Sequence, residues 1–82
     1  MPDERLGLLY LLREKGFYVH MHAYEYLVGL DGRLAAVVLL EPLRCRVEIY
    51  GVPGAPPEGL RVLAEVISEK FPGVEVDVIV RV

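Results

Sequence analysis

The sequence lacks several classes of side chain altogether. It contains no Asn, Gln, Thr or Trp among its 82 residues, and it has one serine, Ser68, and one cysteine, Cys45. Almost every side chain is therefore either apolar or charged. The absence of Asn excludes N-linked glycosylation, and a lone cysteine excludes an intramolecular disulfide and a multi-cysteine zinc site. This pattern of cysteine use predicts an intracellular, cytoplasmic protein.

Motifs for common enzyme chemistry are also absent. There is neither a phosphate-binding Gly-x-x-x-x-Gly-Lys-Ser/Thr segment nor a dinucleotide-binding Gly-x-Gly-x-x-Gly segment. Ser68 is predicted on the solvent side of a helix without a base, and Cys45 is predicted at an inward strand position. Glu75 and Asp77 alternate along a strand, which is typical of a solvated edge. The sequence identifies no catalytic residue and no cofactor, and it favours a role that is not enzymatic.

Long apolar runs and an excess of positive charge are missing as well. The apolar run Leu34–Leu40 is far shorter than the ~20 residues of a membrane-spanning helix, and Leu6–Leu12 has no cleavage site for a signal peptide. We therefore expect no membrane association. The net charge of −3 has the wrong sign for a general nucleic-acid binder. Abundant Glu and Arg without heat-labile amides predict a thermophilic source.

Two segments carry helix signals. Pro2, Asp3 and Glu4 suit the first turn of a helix, which is predicted to end at Gly16. A second helix is predicted to begin near Pro57-Glu58 and to end at Pro72-Gly73. The apolar stripe of the second helix is made by Leu60, Leu63, Ala64, Ile67 and Phe71.

Four segments carry strand signals. Alternation from Phe17 to Leu30 predicts one long strand, and Asp31-Gly32 predicts a hairpin between it and the apolar segment Arg33–Leu40. Arg44–Tyr50 and Val74–Val82 alternate again and complete the set. Because the last strand follows a helix, we expect it to lie parallel to the third strand. Whether it pairs with the first or the third strand is left open by the sequence.

These elements predict a single α+β domain over residues 1–82. The order α-β-β-β-α-β gives two layers, a four-stranded, mixed but mostly antiparallel sheet and two helices. A chain this short buries only about 60–65% of the surface that its unfolded state exposes, so its core needs support, for which an oligomer interface is one source.

The face of the sheet away from the helices is the candidate binding surface. Its predicted members are rich in aromatic, histidine and arginine side chains: Tyr18, His20, His22, Tyr24, Tyr26, Arg44, Arg46 and Tyr50. The apolar second strand must add further apolar residues to this face, which favours packing against a second copy, either face to face or by strand addition at an edge. The alternative is a nucleic-acid-binding or ligand-binding module that uses the same face.

His20 and His22 are also weak candidates for metal ligands. They lie two residues apart on a strand, so both imidazoles point to the same side. Zinc would need at least one further ligand, and Glu48 is the best-placed outward carboxylate. Since no third ligand is fixed by the sequence, an aromatic interface is the favoured interpretation and no metal is predicted.

Overall fold

The computed structural model describes the backbone of residues 2–80 and the side chains of residues 4–80. Within that range the chain forms two α-helices and a five-stranded mixed sheet, which confirms the α+β class. A 3-10 turn at Pro42–Arg44 joins the third and fourth strands. The elements in chain order are α1 (Pro2–Glu14), β1 (Tyr18–His22), β2 (Glu25–Leu30), β3 (Arg33–Glu41), β4 (Arg46–Gly51), α2 (Pro57–Lys70) and β5 (Glu75–Val80).

The five strands lie in the sheet in the same order as in the chain. Neighbours from β1 to β4 are antiparallel, and β5 is parallel to β4. The predicted hairpin at Asp31-Gly32 is confirmed, because φ is 54° at Asp31 and 78° at Gly32, as a type I′ turn requires. The parallel last strand is confirmed too. It pairs with β4, which corresponds to the third predicted strand, Arg44–Tyr50.

The prediction of one continuous strand from Phe17 to Leu30 is wrong. The chain reverses at Ala23-Tyr24, so this segment forms two strands, β1 and β2, and the sheet has five strands instead of four. Ala23 adopts a left-handed conformation with φ of 55°, and the turn contains none of the Gly, Pro, Asn or Asp residues that usually mark one. Without such a marker, two strands whose alternation continues across the turn have the same sequence pattern as one long strand.

Both predicted helices are present, and both pack on one face of the sheet. Gly16, with φ of 99°, follows the end of α1 in the left-handed conformation that glycine adopts readily. At 13 and 14 residues, neither helix of the described chain is long and apolar enough to cross a membrane. Between helices and sheet lies one core, whose buried members include Leu8, Leu12, Val19, Tyr26, Val28, Val38, Val47, Ile49, Leu63 and Ile67.

Candidate functional site

The side of the sheet opposite the helices is here called the open face. Within residues 4–80 neither helix packs on it, and alternation along the strands assigns its side chains. Its members are Tyr18, His20, His22, Glu25, Leu27, Gly29, Leu34, Val37, Leu39, Glu41, Arg46, Glu48, Tyr50, Glu75, Asp77 and Ile79.

A row of side chains crosses the middle of the open face, and it is apolar except for His20 at the β1 edge. Register places five residues side by side in this central row: His20, Leu27, Val37, Tyr50 and Ile79. Leu27 is 39% exposed, and Val37, Tyr50 and Ile79 are half-buried by their neighbours within the sheet. A sheet with one face in water usually turns polar residues outward, so this row departs from the expected pattern.

A shallow groove lies beside the central row, at the end of the sheet near the Asp31-Gly32 turn. Its volume is about 580 Å³. Tyr18, which is 74% exposed, and Leu34, which is 49% exposed, form much of its apolar wall, and Arg33 lies at its end. Gly29 leaves the floor of the groove without a side chain. A Cβ at this position would lie 3.4 Å from the Cβ of Tyr18 and 3.2 Å from the carbonyl oxygen of Arg33.

The opposite end of the open face is charged and mostly acidic. Arg46 Nη2 lies 2.6 Å from Asp77 Oδ2 and 3.7 Å from Glu48 Oε2. The Asp77 carboxylate is the main cause that raises the pKa of Arg46, and Glu48 and Glu75 add to it. Glu48 also raises the pKa of Tyr50, chiefly by accepting a hydrogen bond from its hydroxyl. Arg46 is therefore shared among carboxylates on β4 and β5.

Five of the eight residues predicted on this face lie on it, namely Tyr18, His20, His22, Arg46 and Tyr50, and so does Glu48, which was predicted to point outward. The other three predicted members of the face are elsewhere. Tyr24 lies in the turn between β1 and β2, with its ring 4.5 Å from the guanidinium carbon of Arg5. Arg44 is in the 3-10 turn, where it pairs with Glu41 at 3.5 Å.

Tyr26 is the clearest correction. It was expected on the open face, but it is fully buried in the core on the helix side. The two-residue turn at Ala23-Tyr24 shifts the alternation, so that Tyr26 points inward and Leu27 points outward. Leu27 consequently lies at the centre of the open face, where alternation along one continuous strand does not place it.

Cys45 was predicted at an inward strand position, but it is exposed, and so is Leu43 nearby. The cause is the 3-10 turn, which ends at Cys45 in a left-handed conformation with φ of 48°. The strand begins only at Arg46, so alternation does not extend back through these positions.

The open face does not bring the candidate metal ligands together. His22 on β1 and Glu48 on β4 are three strands apart, a separation of about 14 Å at ~4.8 Å per strand. Glu25 is the carboxylate that register places opposite His22. No group of three or more His, Cys, Asp or Glu side chains within residues 4–80 is arranged to hold a metal ion.

Comparison with protein-family models, with curated proteins and with solved structures finds no match for this chain.

Proposed function

We propose that this chain is a homodimeric assembly module, in which two copies pack through their open faces. The observation that supports this most directly is the central row, which places Leu27, Val37, Tyr50 and Ile79 across four of the five strands of a sheet face that neither α1 nor α2 covers. Burying apolar surface of this kind contributes about 25 cal/mol per Å², so association relieves an unfavourable exposure. Two sheets packed face to face lie about 10 Å apart, with side chains from both filling the space.

The order of the strands makes the open face suited to a copy of itself. β3 is the central strand, and its residues Val37 and Leu39 lie in the middle of the face. A two-fold axis along β3 places Val37 over Val37 of the second copy. The same axis places Leu27 over Tyr50, because these residues flank Val37 on either side. An isologous interface of this kind buries the apolar residues at its centre.

Charges at the two edges of the face support the same arrangement. β1 carries His20 and His22, and β5 carries Asp77. The two-fold axis along β3 brings the imidazole edge of one copy over the acidic edge of the other. Glu25 then approaches Glu48 of the second copy. The negative charge of each Glu48 is partly compensated by Arg46 of the same chain. An imidazole N–H donates a hydrogen bond to a carboxylate, so these two edges are chemically complementary.

Binding of single-stranded nucleic acid or another ligand to the open face is the second hypothesis, and it has less support. Stacking on bases needs exposed aromatic rings, and with Tyr26 in the core the described face offers Tyr18 and Tyr50. A phosphate backbone needs free cations, but Arg46 is already bound by Asp77 and Glu48. The acidic end of the face would repel phosphates.

Sedimentation equilibrium at micromolar concentration tests the proposal. We expect twice the chain mass of 9.2 kDa for the unmodified protein. Leu27→Lys puts a charge into the central row and should give the monomer mass. Leu43→Lys is the matched control, because Leu43 is fully exposed in the connection between β3 and β4 and does not belong to the open face.

A monomer at these concentrations, or loss of dimer in both lysine variants, would overturn the face-to-face dimer. Salt-sensitive binding of single-stranded RNA or DNA by the unmodified protein, lost in Tyr18→Ala, would instead support the second hypothesis.

A further inference from the structure

The two edges of the sheet are protected very differently. At the β1 edge, Arg13 of α1 donates a hydrogen bond from Nη2 to the carbonyl oxygen of Val19, at 3.1 Å. Arg5 of the same helix donates from Nη1 to the carbonyl oxygen of Ala23, at 3.0 Å, just beyond the end of β1. Charged side chains over an edge strand hinder the addition of another strand. Two arginines of α1 therefore protect the β1 edge.

The β5 edge has no such protection within the described chain. The N–H of Glu75 donates to the carbonyl oxygen of Cys45 at 3.0 Å, so Glu75 directs its backbone groups toward β4. Because alternate residues of a strand face the same neighbour, Val76, Val78 and Val80 direct their N–H and C=O groups away from β4. No strand within residues 2–80 pairs with this side of β5.

Apolar side chains accompany these backbone groups. Val78 is 44% exposed and Val80 is 56% exposed, although both lie on the helix side of the sheet. They line a groove of about 240 Å³ between β5 and α2, together with Pro57, Leu60 and Arg61. α2 thus stops short of covering the edge strand, and it leaves room for the side chains of an added strand.

We propose that the β5 edge is a strand-addition site for β5 of a second copy, with the two strands antiparallel and Val78 on the two-fold axis. In this register, all three residues whose backbone groups point away from β4 form cross-strand pairs. Val76 lies opposite Val80 of the second copy, and Val78 lies opposite Val78. Valine side chains then pack against valine side chains on the helix side. Cross-strand pairs of β-branched residues stabilise a sheet.

The charges of β5 select this register and favour a copy of the same strand. With Val78 on the axis, Asp77 lies opposite Ile79 of the second copy, and its carboxylate keeps its ion pair with Arg46. With Asp77 on the axis, two carboxylates would face each other directly, which destabilises a strand pair. On the helix side, the series Val76, Val78 and Val80 also reads the same in both directions, as an antiparallel self-pair requires.

The edge contact is independent of the open-face dimer. It uses the backbone of β5 and side chains on the helix side, whereas the open face lies on the opposite side of the sheet. The edge contact joins only one strand of each copy, so we expect it above the micromolar range in which the open faces pair, and there it links open-face dimers into a larger assembly. Leu27→Lys leaves the edge intact, so this variant isolates edge pairing from face packing.

Disulfide trapping tests the register. In a Cys45→Asn background, which removes the exposed native thiol, we introduce Val78→Cys or Val80→Cys. Directly opposed residues in a hydrogen-bonded antiparallel pair have Cα atoms about 5.5 Å apart, within the range of a disulfide. Val78→Cys should therefore form a cross-linked dimer on mild oxidation. Val80→Cys is the matched control, since its two copies would be four residues out of register, about 13 Å along the strands.

A proline variant tests the contact without cysteine. The N–H of Val78 points away from β4, so Val78→Pro keeps the intrachain ladder and removes a donor only from the edge. In the Leu27→Lys background, which is monomeric at micromolar concentration, we expect Val78→Pro to abolish the association that appears at higher concentration. Met21→Pro is the control at the β1 edge, where the N–H also points outward, and it should leave association unchanged. Circular dichroism checks that both variants remain folded.

Hydrogen exchange gives a readout that does not depend on substitution. If β5 pairs with β5 of a second copy, hydrogen exchange at the backbone amides of Val78 and Val80 should slow as protein concentration rises. Equal cross-linking of Val78→Cys and Val80→Cys would overturn the proposal, and so would association that Val78→Pro leaves unchanged. Protection of these amides only after addition of an unrelated strand-forming peptide would assign the edge to a foreign strand and would also overturn pairing between copies.

Discussion

The hydroxyl of Tyr26 on β2 donates a hydrogen bond of 2.9 Å to the backbone carbonyl oxygen of Arg5 in α1. The side chain of Arg5 returns to the same region, because its guanidinium donates to Ala23 and lies over the ring of Tyr24. Helix α1 is thus tied to the β1–β2 turn through one residue. A buried phenol requires such a partner, since an unsatisfied hydroxyl in the core is unfavourable.

Tyr26→Phe should lower the free energy of unfolding by about 1 kcal/mol, the usual net contribution of an intramolecular hydrogen bond. The ring itself remains, so packing around β2 should not change. Guanidinium denaturation at pH 7 measures the difference in midpoint. Tyr18→Phe is the matched control, because Tyr18 is largely exposed on the open face, and it should leave the midpoint within error. Equal effects in the two variants would contradict the assigned hydrogen bond.

High pH should destabilise the fold through the same residue. Burial raises the pKa of Tyr26 to about 12, and the charge of Arg5 lowers it only in part. In the unfolded chain the phenol titrates near 10, so between pH 10 and 12 the folded state holds a proton that the unfolded state releases. The stability contribution is therefore complete below pH 10 and is lost as pH rises to 12. Stability measured from pH 9 to 12 should fall less steeply in Tyr26→Phe than in the unmodified protein.

The parts of the fold that carry local markers were predictable from sequence. Asp31-Gly32 marks its hairpin because both positions need positive φ, and Gly16 marks the end of α1 for the same reason. The break at Ala23-Tyr24 has no marker. Its conformation is imposed by tertiary contacts of the neighbouring strands and of Arg5 with the carbonyl of Ala23.

This one unmarked turn explains most of what sequence reasoning missed in the candidate site. It exchanges the faces of Tyr26 and Leu27, which removes an aromatic ring from the open face and adds a leucine. Residues before the turn, such as His20 and His22, keep their predicted side. Alternation therefore assigns a face reliably only up to the first unrecognised turn.

The cluster around Arg46 gives a prediction about charge. Arg46→Gln leaves Glu48, Glu75 and Asp77 close together on β4 and β5 without their shared cation. We expect a lower midpoint in urea at pH 7, and a smaller loss at 1 M NaCl, because salt screens the repulsion among the carboxylates. Urea is the suitable denaturant since guanidinium chloride is itself a salt.

Arg44→Gln is the matched control for Arg46→Gln. Arg44 pairs only with Glu41 among the described residues, at 3.5 Å, and its side chain is 66% exposed, so its removal should change the midpoint very little. If the decrease in the urea midpoint of Arg46→Gln does not depend on salt, then packing of the arginine stem, rather than its charge, stabilises this end of the sheet.

Replacing alanine by glycine should stabilise the protein in the turn between β1 and β2 and destabilise it inside α2. Ala23 is exposed and has φ of 55°, a conformation that is unfavourable for a residue with a Cβ by about 1–2 kcal/mol. Ala23→Gly relieves this strain at some cost in unfolded-state entropy, so we expect a net gain in stability of about 0.5–1 kcal/mol. Ala64→Gly, inside α2, should instead lose about 1 kcal/mol because glycine disfavours a helix interior. Thermal and urea denaturation of the two variants measure the contrast, and a loss of stability in both would show that the left-handed turn is not strained in solution.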